Sequence, residues 1–240
     1  MTRTAIIAAM PAELKPLTRG WRHQRSNGVD LWRLSIADGE WIAACAGAGL
    51  QAATRAFAEV EKSGEVDLLI STGWAGALRE ALAPGQALDV SGVIDARTGE
   101  RFVAAVPLPD CCLVTSPKVA DAHEKLRLAE TYSAALVDME ASAIARLAQM
   151  RGIPFYCIKG ISDGYTEQLP DFNRFISPDG RFLTIRFSLF ALLRPWHWPA
   201  LIRMGENSRK AARSIAGSLL DLLDKEGQIR KRNGYPNHKR

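Results

Sequence analysis

The sequence predicts an α/β fold: one domain with a mixed, mostly parallel sheet flanked by helices, plus a helical extension at the C-terminus. Three observations predict it. Short apolar runs with the length of buried strands recur at Thr4–Ala9, Val66–Thr72 and Phe155–Ile161. Helical periodicity fills the intervals, as in Gly49–Lys62, where Ala52, Ala53, Ala56, Phe57 and Val60 share one side. The 240 residues are 47% hydrophobic and 24% charged, which excludes a disordered chain, a collagen-like repeat and a small disulfide scaffold. A chain of this length can bury a sizeable core.

Taken in order, Thr4–Ala9 is a buried strand, and Pro11 stands where a helix can begin. Val29–Ile36 and Trp41–Cys45 flank the turn signal Asp38-Gly39, so they read as a hairpin. The helix Gly49–Lys62 follows, then the strand Val66–Thr72, which ends in the glycine-rich Gly73-Trp74-Ala75-Gly76. Ala87–Ile94 and Arg101–Val106 read as strands around Arg97-Thr98-Gly99; Cys111–Thr115 is a further strand and Val119–Thr131 a helix. Ala134–Val137, the helix Met139–Arg151 and the strand Phe155–Ile161 make a compact β-α-β unit. Strands alternating with helices favour a parallel sheet covered on its faces, while the hairpins require some antiparallel pairs.

The character changes after Asp163. Leu169-Pro170 and Ser177-Pro178-Asp179-Gly180 punctuate a loop. Arg181–Leu193 is apolar with arginines, Arg194–Pro199 interrupts it, and Ala200–Asp224 is a long amphipathic helix candidate. The expected boundaries are therefore 1–180 for the α/β domain, 181–226 for the extension and 227–240 for a frayed basic tail. The apolar run Phe187–Leu193 is far too short to span a bilayer.

The net charge of +5 is unevenly placed: residues 181–240 carry 13 Lys+Arg against 4 Asp+Glu, and the rest carries 18 against 22. Without alternating base-stacking aromatics and cations along the body, nucleic acid is not an expected partner. The last quarter instead combines Phe187, Leu189, Phe190, Trp196 and Trp198 with Arg186, Arg194 and Arg203. That mixture suits either a peripheral contact with an anionic membrane or a helical hairpin packed on the protein. Cys45, Cys111, Cys112 and Cys157 have no metal or redox spacing, and no secretory leader is evident, so a cytoplasmic protein with reduced thiols is expected, at most peripheral to the inner face of the membrane.

Three carboxylates stand just beyond the carboxyl ends of predicted strands: Glu13, Glu140 and Asp163. Open α/β sheets bind ligands at that edge, and acids converging there suit acid/base work or hydroxyl recognition. Acids also occupy the first turns of helices because the dipole favours them, which describes Glu13 and Glu140 equally well. Gly47-Ala48-Gly49-Leu50-Gln51-Ala52 matches a dinucleotide fingerprint loosely, but its strand is the second arm of a hairpin. The four histidines are dispersed and no H-E-x-x-H, G-x-S-x-G or P-loop occurs, so neither a metal nor a cofactor is expected.

Five segments occur in one order: Ala9-Met10-Pro11-Ala12-Glu13, Ala46-Gly47-Ala48-Gly49, Thr72–Gly76, Val137–Ala145 with Asp138-Met139-Glu140 near its start, and Ile158-Lys159-Gly160-Ile161-Ser162-Asp163. Together they resemble the purine nucleoside phosphorylase superfamily, and within it the methylthioadenosine/S-adenosylhomocysteine nucleosidases. The chain's end, with Pro178-Asp179-Gly180-Arg181, Leu192-Leu193-Arg194-Pro195 and Trp198-Pro199-Ala200-Leu201, looks like the hopanoid-associated branch, the adenosylhopane nucleosidases.

The resemblance implies cleavage of a purine N-glycosidic bond. Asp163 matches the acid that protonates N7 of the leaving adenine, for which burial beside Ile161 would keep it protonated. Glu13 matches the carboxylate that activates water, Glu140 the residue that binds ribose hydroxyls, and Met139 packs on the sugar. Gly49, Gly73, Trp74 and Ser162 fall at substrate-binding positions, and Gly47 and Lys159 at an anion or water site. Relatives form dimers or larger oligomers, so a homodimer is implied. Trp74 stands where Ser is usual and Lys159 where Arg is usual; Ser116–Ala122 has no purine-stacking Phe. Hydrolysis is the first reading and phosphorolysis the alternative, since glycine-rich backbone donors can hold phosphate.

Overall fold

A computed structural model describes residues 2–36, 39–105, 111–167 and 170–232, with the side chains of the last helix as far as 223. Asp38 of the predicted turn, Val106 at the end of a predicted strand, Leu169, and the last eight residues of the predicted tail lie outside the described residues.

The strands are β1 (Thr2–Ala8), β2 (Arg22–Ser26), β3 (Val29–Ile36), β4 (Gly39–Cys45), β5 (Leu68–Ser71), β6 (Trp74–Ala77), β7 (Ala87–Asp89), β8 (Gly92–Asp95), β9 (Arg101–Val103), β10 (Cys112–Thr115), β11 (Leu136–Asp138) and β12 (Phe155–Asp163). The helices are α1 (Pro11–Leu14), α2 (Leu50–Glu61), α3 (Ala122–Tyr132), α4 (Ala141–Arg151), α5 (Thr184–Leu192) and α6 (Trp198–Arg232). The sheet runs β2-β3-β4-β1-β5-β12-β6-β11-β10-β8-β9, with β7 also paired to β12. Its centre is parallel: β1 pairs β4 and β5, and β12 pairs β5 and then β6. Antiparallel ribbons close both ends, as the hairpin reading requires.

Every residue of β12 is buried, which is why its sequence is a near-continuous apolar run rather than an alternating one. The strand spans both halves of the sheet: Phe155–Cys157 lie beside β5, and Gly160–Asp163 beside β6. Asp163 is thus carried to the carboxyl edge by a strand buried along its whole length. On one face, Phe57 of α2 and Ile144 of α4 share a core with Leu69 and Cys157. On the other, Ile215, Leu219 and Leu223 of α6 pack with Ile6, Ile70 and Ile158. A smaller core under α3 joins Leu128 to Leu78, Ile94 and Val114.

Four differences from the sequence reading have local causes. The glycine-rich stretch after β5 is itself a strand, β6, because Trp74–Ala77 pair with β12 on one side and β11 on the other. Ala87–Ile94 divides into β7, antiparallel to β12, and β8, parallel to β10. β2 carries Arg22-His23-Gln24-Arg25-Ser26, mostly exposed at the sheet edge, so it lacks the apolar alternation that marks a strand. Finally, the predicted extension is not one unit. α5 has no buried residue, whereas α6 buries Ala211, Ala212, Ile215, Ala216, Leu219 and Leu223 and continues to Arg232, past the predicted end at Asp224. Among the described residues, no helix is long and apolar enough to cross a membrane.

The middle of α6, Ala211–Leu223, is therefore part of the core. Replacing the fully buried Leu219 by Ala removes contacts with the sheet and should destabilise the fold by about 2–5 kcal/mol. Urea unfolding measures this, and a loss below about 1 kcal/mol would show that α6 is only appended.

Candidate active site

The carboxyl edge of the sheet opens into a cavity of about 510 Å³. Glu13, Glu140 and Asp163 all line it, together with Met139, Trp74 and Ser162. The three acids that the sequence placed beyond separate strands therefore share one space.

Glu13 sits in α1, just past the end of β1, and is 4% exposed. Its Oε2 accepts from the backbone N–H of Ala9 (2.9 Å) and Met10 (2.7 Å), and its Oε1 from that of Trp74 (2.7 Å). The end of β1 and the start of β6 thereby aim one carboxylate. Burial raises its pKa, although the three N–H donors and the Lys159 charge pull the other way. Gly73 makes the approach feasible: it has φ +118°, and a Cβ there would sit 2.8 Å from Glu13 Oε1.

Glu140 follows β11 at the start of α4. Its Oε1 accepts from the N–H of Gly49 at 2.7 Å and its Oε2 from that of Met139 at 3.3 Å. Burial and the neighbouring Asp138 push its pKa up to about 8, against the nearby Lys159. Asp163 ends β12. Its Oδ1 accepts from the Ser162 hydroxyl at 2.5 Å, and its Oδ2 accepts from the Lys125 ammonium of α3. Burial beside Ile161 is therefore not the whole surroundings of Asp163, as the sequence reading had it: it also stands in a buried ion pair.

Four residues assigned to substrate, anion or water sites hold the frame instead, and none of them lines the cavity. The Gly49 N–H donates to Glu140, and Gly73 lies against Glu13. Gly47 gives its N–H to the Ala9 carbonyl at 3.0 Å, and a Cβ there would meet the Gly180 carbonyl oxygen at 2.4 Å. Lys159 is fully buried, paired with Asp138 at 2.9 Å and donating to the Thr72 carbonyl at 3.0 Å, so its charge is not available to an anion. Burial opposes that charge, yet Asp138 beside it raises the pKa overall. Trp74 does wall the cavity, its indole N–H donating to the Ser208 carbonyl of α6 at 3.0 Å.

The sequence reading missed Lys125 and the far wall. Lys125 is three residues before buried Leu128 on α3, a spacing that puts a lysine on the inward stripe and could have flagged it. The far wall holds Phe172, Ile176, Phe182, Phe187, Leu201 and Met204. Phe187 packs 5.6 Å from Phe172 and 5.3 Å from Phe182, ring centre to ring centre. Apart from Trp74, the aromatic rings that line the cavity thus come from later in the chain than Ser116–Ala122.

The raised pKa of Glu140 makes a signed prediction. The unfolded carboxyl ionises near its ordinary value of 4.5 and the folded one near 8, so between those values the folded state holds more protons. This contribution to stability is complete below the unfolded value and is lost as pH rises through 8. Glu140→Gln removes that loss, so the melting temperature of the variant relative to the parent should rise by roughly 3 °C or more between pH 5 and pH 8.5. Parallel melting curves across that range would contradict the shift.

In sequence, the chain matches the model of the phosphorylase superfamily over residues 3–125 and 111–178. No curated protein matches it significantly. Among solved structures, the 5'-methylthioadenosine/S-adenosylhomocysteine nucleosidase of Helicobacter pylori is similar with a TM-score of 0.71 and 16% identity, covering 93% of this chain and 98% of the other. The 5'-methylthioadenosine nucleosidase of Arabidopsis thaliana gives 0.72 and 16%, covering 93% and 95%. The futalosine hydrolase of Helicobacter pylori gives 0.71 and 15%, covering 93% and 98%. At these identities the likeness is one of fold, whereas the sequence match takes in the strands and helices that carry Glu13, Glu140 and Asp163; the chain belongs to the phosphorylase superfamily.

Proposed function

We propose that the protein is a nucleosidase that hydrolyses the N-glycosidic bond of a 5'-substituted adenosine and releases adenine. The observation that carries this reading is the convergence of Glu13, Glu140 and Asp163 on one cavity. Adenine leaves poorly as an anion, so it needs a proton at N7, and Asp163 is the group that delivers it. As the C1'–N9 bond lengthens, the ribose becomes oxocarbenium-like. Glu13, held by three N–H groups, takes the proton of the attacking water. Glu140 accepts from the ribose hydroxyls, and Met139 packs on the sugar. Each proton transfer of this kind contributes about 10²–10⁴-fold. Phosphorolysis would need a cation or donor cluster for phosphate; Lys159, the cation expected at an anion site, is already paired with Asp138, and the cations that line the cavity are Lys118, Lys125 and Arg209.

Asp163→Asn should therefore reduce adenine release by more than about 100-fold in a folded protein. Glu13→Gln should stop turnover while nucleoside binding persists, whereas Glu140→Gln should weaken both. Adenine release and calorimetric binding measure the three. Near-normal release by the Asp163 variant, or loss of affinity alone in both glutamate variants, would refute the assigned roles.

The 5'-substituent is proposed to be large and apolar, with adenosylhopane the leading candidate. The wall of Phe172, Phe182, Phe187, Leu201 and Met204 supports this reading. Beyond it, α5 and the turn that joins it to α6 leave Ile185, Leu192, Leu193 and Trp196 more than 60% exposed, beside Arg186 and Arg194. Exposed apolar side chains rimmed by cations suit an anionic bilayer surface, where a lipid-linked nucleoside would be met. Because α6 is core, the test is substitution rather than truncation. Anionic liposomes should sediment the full chain at low salt, and Leu192→Glu with Trp196→Glu should abolish this without unfolding; equal, negligible binding by both proteins would refute it.

A further inference from the structure

Lys125 is the one cavity-lining cation, among the described residues, whose ammonium is bonded to an acid of the proposed reaction. It is 1% exposed and reaches from α3 to the end of β12, donating to Asp163 Oδ2 and, at 2.6 Å, to the Gly164 carbonyl. Room for the pair is made by Gly76, where a Cβ would stand 3.1 Å from both Lys125 Cε and Asp163 Oδ2. A buried ammonium is desolvated at considerable expense, and removing one partner leaves the other charge uncompensated. A structural pair could serve anywhere in the core, but this one ends on the carboxyl group that must protonate the leaving base.

We infer that Lys125 holds, in the resting protein, the proton that Asp163 delivers to the base, so that the two side chains work as one donor. The inference rests on the nucleosidase reading above. As the C1'–N9 bond breaks and its electron pair passes to the base, an Nζ–H bond of Lys125 breaks and an O–H bond forms on Asp163. The carboxyl proton in turn bonds to N7. Water forms the new bond to C1' and gives its proton to Glu13. The site is then one proton short at Lys125 and one proton richer at Glu13, and exchange with solvent restores both. Lys125 is a positioning residue in this scheme, acting through Asp163.

A lone carboxylic acid loses its proton once pH passes its own pKa, whereas a lysine–carboxylate pair keeps one transferable proton until pH approaches the lysine range, about 10. The other charged groups around the pair are Glu13, Asp138, Glu140, Lys118 and Arg209 on the cavity wall, Lys159 paired with Asp138 behind it, and Glu167, whose carboxylate accepts from the Gly164 N–H. Asp121 caps the N-terminus of α3, which also carries His123, Glu124, Arg127 and Glu130. All of them are common to the proteins compared below, so their titrations cancel in a ratio.

The experiment is the pH profile of kcat/KM for adenine release by the full chain and its Lys125→Met and Lys125→Arg variants, from pH 6 to 9. Methionine fills the same space without a proton. The ratio of parent to Lys125→Met should grow at least tenfold across that range, with most of the change in kcat. Arginine keeps the charge and donors but does not give up a proton, so it should fail to rescue the alkaline activity. Ratios constant with pH, or full rescue by arginine, would overturn the inference and leave Lys125 as a structural cation, even with the nucleosidase reading intact. No release by the parent protein from any adenosine derivative would overturn both.

Discussion

The constraint on which the site depends is that three carboxylic acids must share a cavity whose walls are mostly apolar. Carboxylates in such a place are unstable unless each has its own partners. The fold supplies a different set to each one. Glu13 receives three backbone N–H groups, Glu140 receives the N–H groups of Gly49 and Met139, and Asp163 receives a hydroxyl and an ammonium. These partners come from the ends of β1, β11 and β12, the start of β6, the turn between β4 and α2, and α3, so the sheet order is itself the positioning device. Three groups that are chemically alike thereby stand in three different surroundings, which one site needs if it is to hold both an acid and a base.

A second layer supports the first. The buried Asp138–Lys159 pair ties β11 to β12, and the Asp138 carboxylate also accepts from the Thr115 hydroxyl at 2.7 Å and the Ala141 N–H at 2.9 Å. Asp138 therefore fixes the start of α4, and with it the direction in which Glu140 leaves the backbone. The loop at Ala46–Gly49 is braced from the other side: the Ala48 N–H donates to the Gly180 carbonyl at 2.7 Å. That contact links the predicted turn Ser177–Gly180 to the glycine whose N–H holds Glu140.

Much of this was legible in the sequence because apolar run length and glycine placement respond to backbone demands. The runs at Thr4–Ala9, Val66–Thr72 and Phe155–Ile161 are the centre of the sheet, and the acids just after strands stand at its carboxyl edge. What could not be read was set by contacts between distant segments. β2 is a strand because β3 offers it an edge, not because its residues alternate. Lys159 looked like a free cation because nothing local shows that Asp138 lies beside it, 21 residues earlier in the chain. Phe182 and Phe187 belong to the cavity because α5 folds back over the sheet edge, a tertiary choice without a periodic signal. Gly47 and Gly49 resembled ligand-binding glycines, yet their N–H groups are taken by protein oxygens.

The central claim is that this edge of the sheet breaks a purine N-glycosidic bond with water as the nucleophile. The most direct measurement is adenine release from a 5'-alkyl-substituted adenosine in buffer freed of phosphate, with the sugar product identified by mass. The account predicts sustained release of adenine with a free reducing sugar, at a rate that added phosphate leaves unchanged. Release that requires phosphate and yields a sugar 1-phosphate would contradict it.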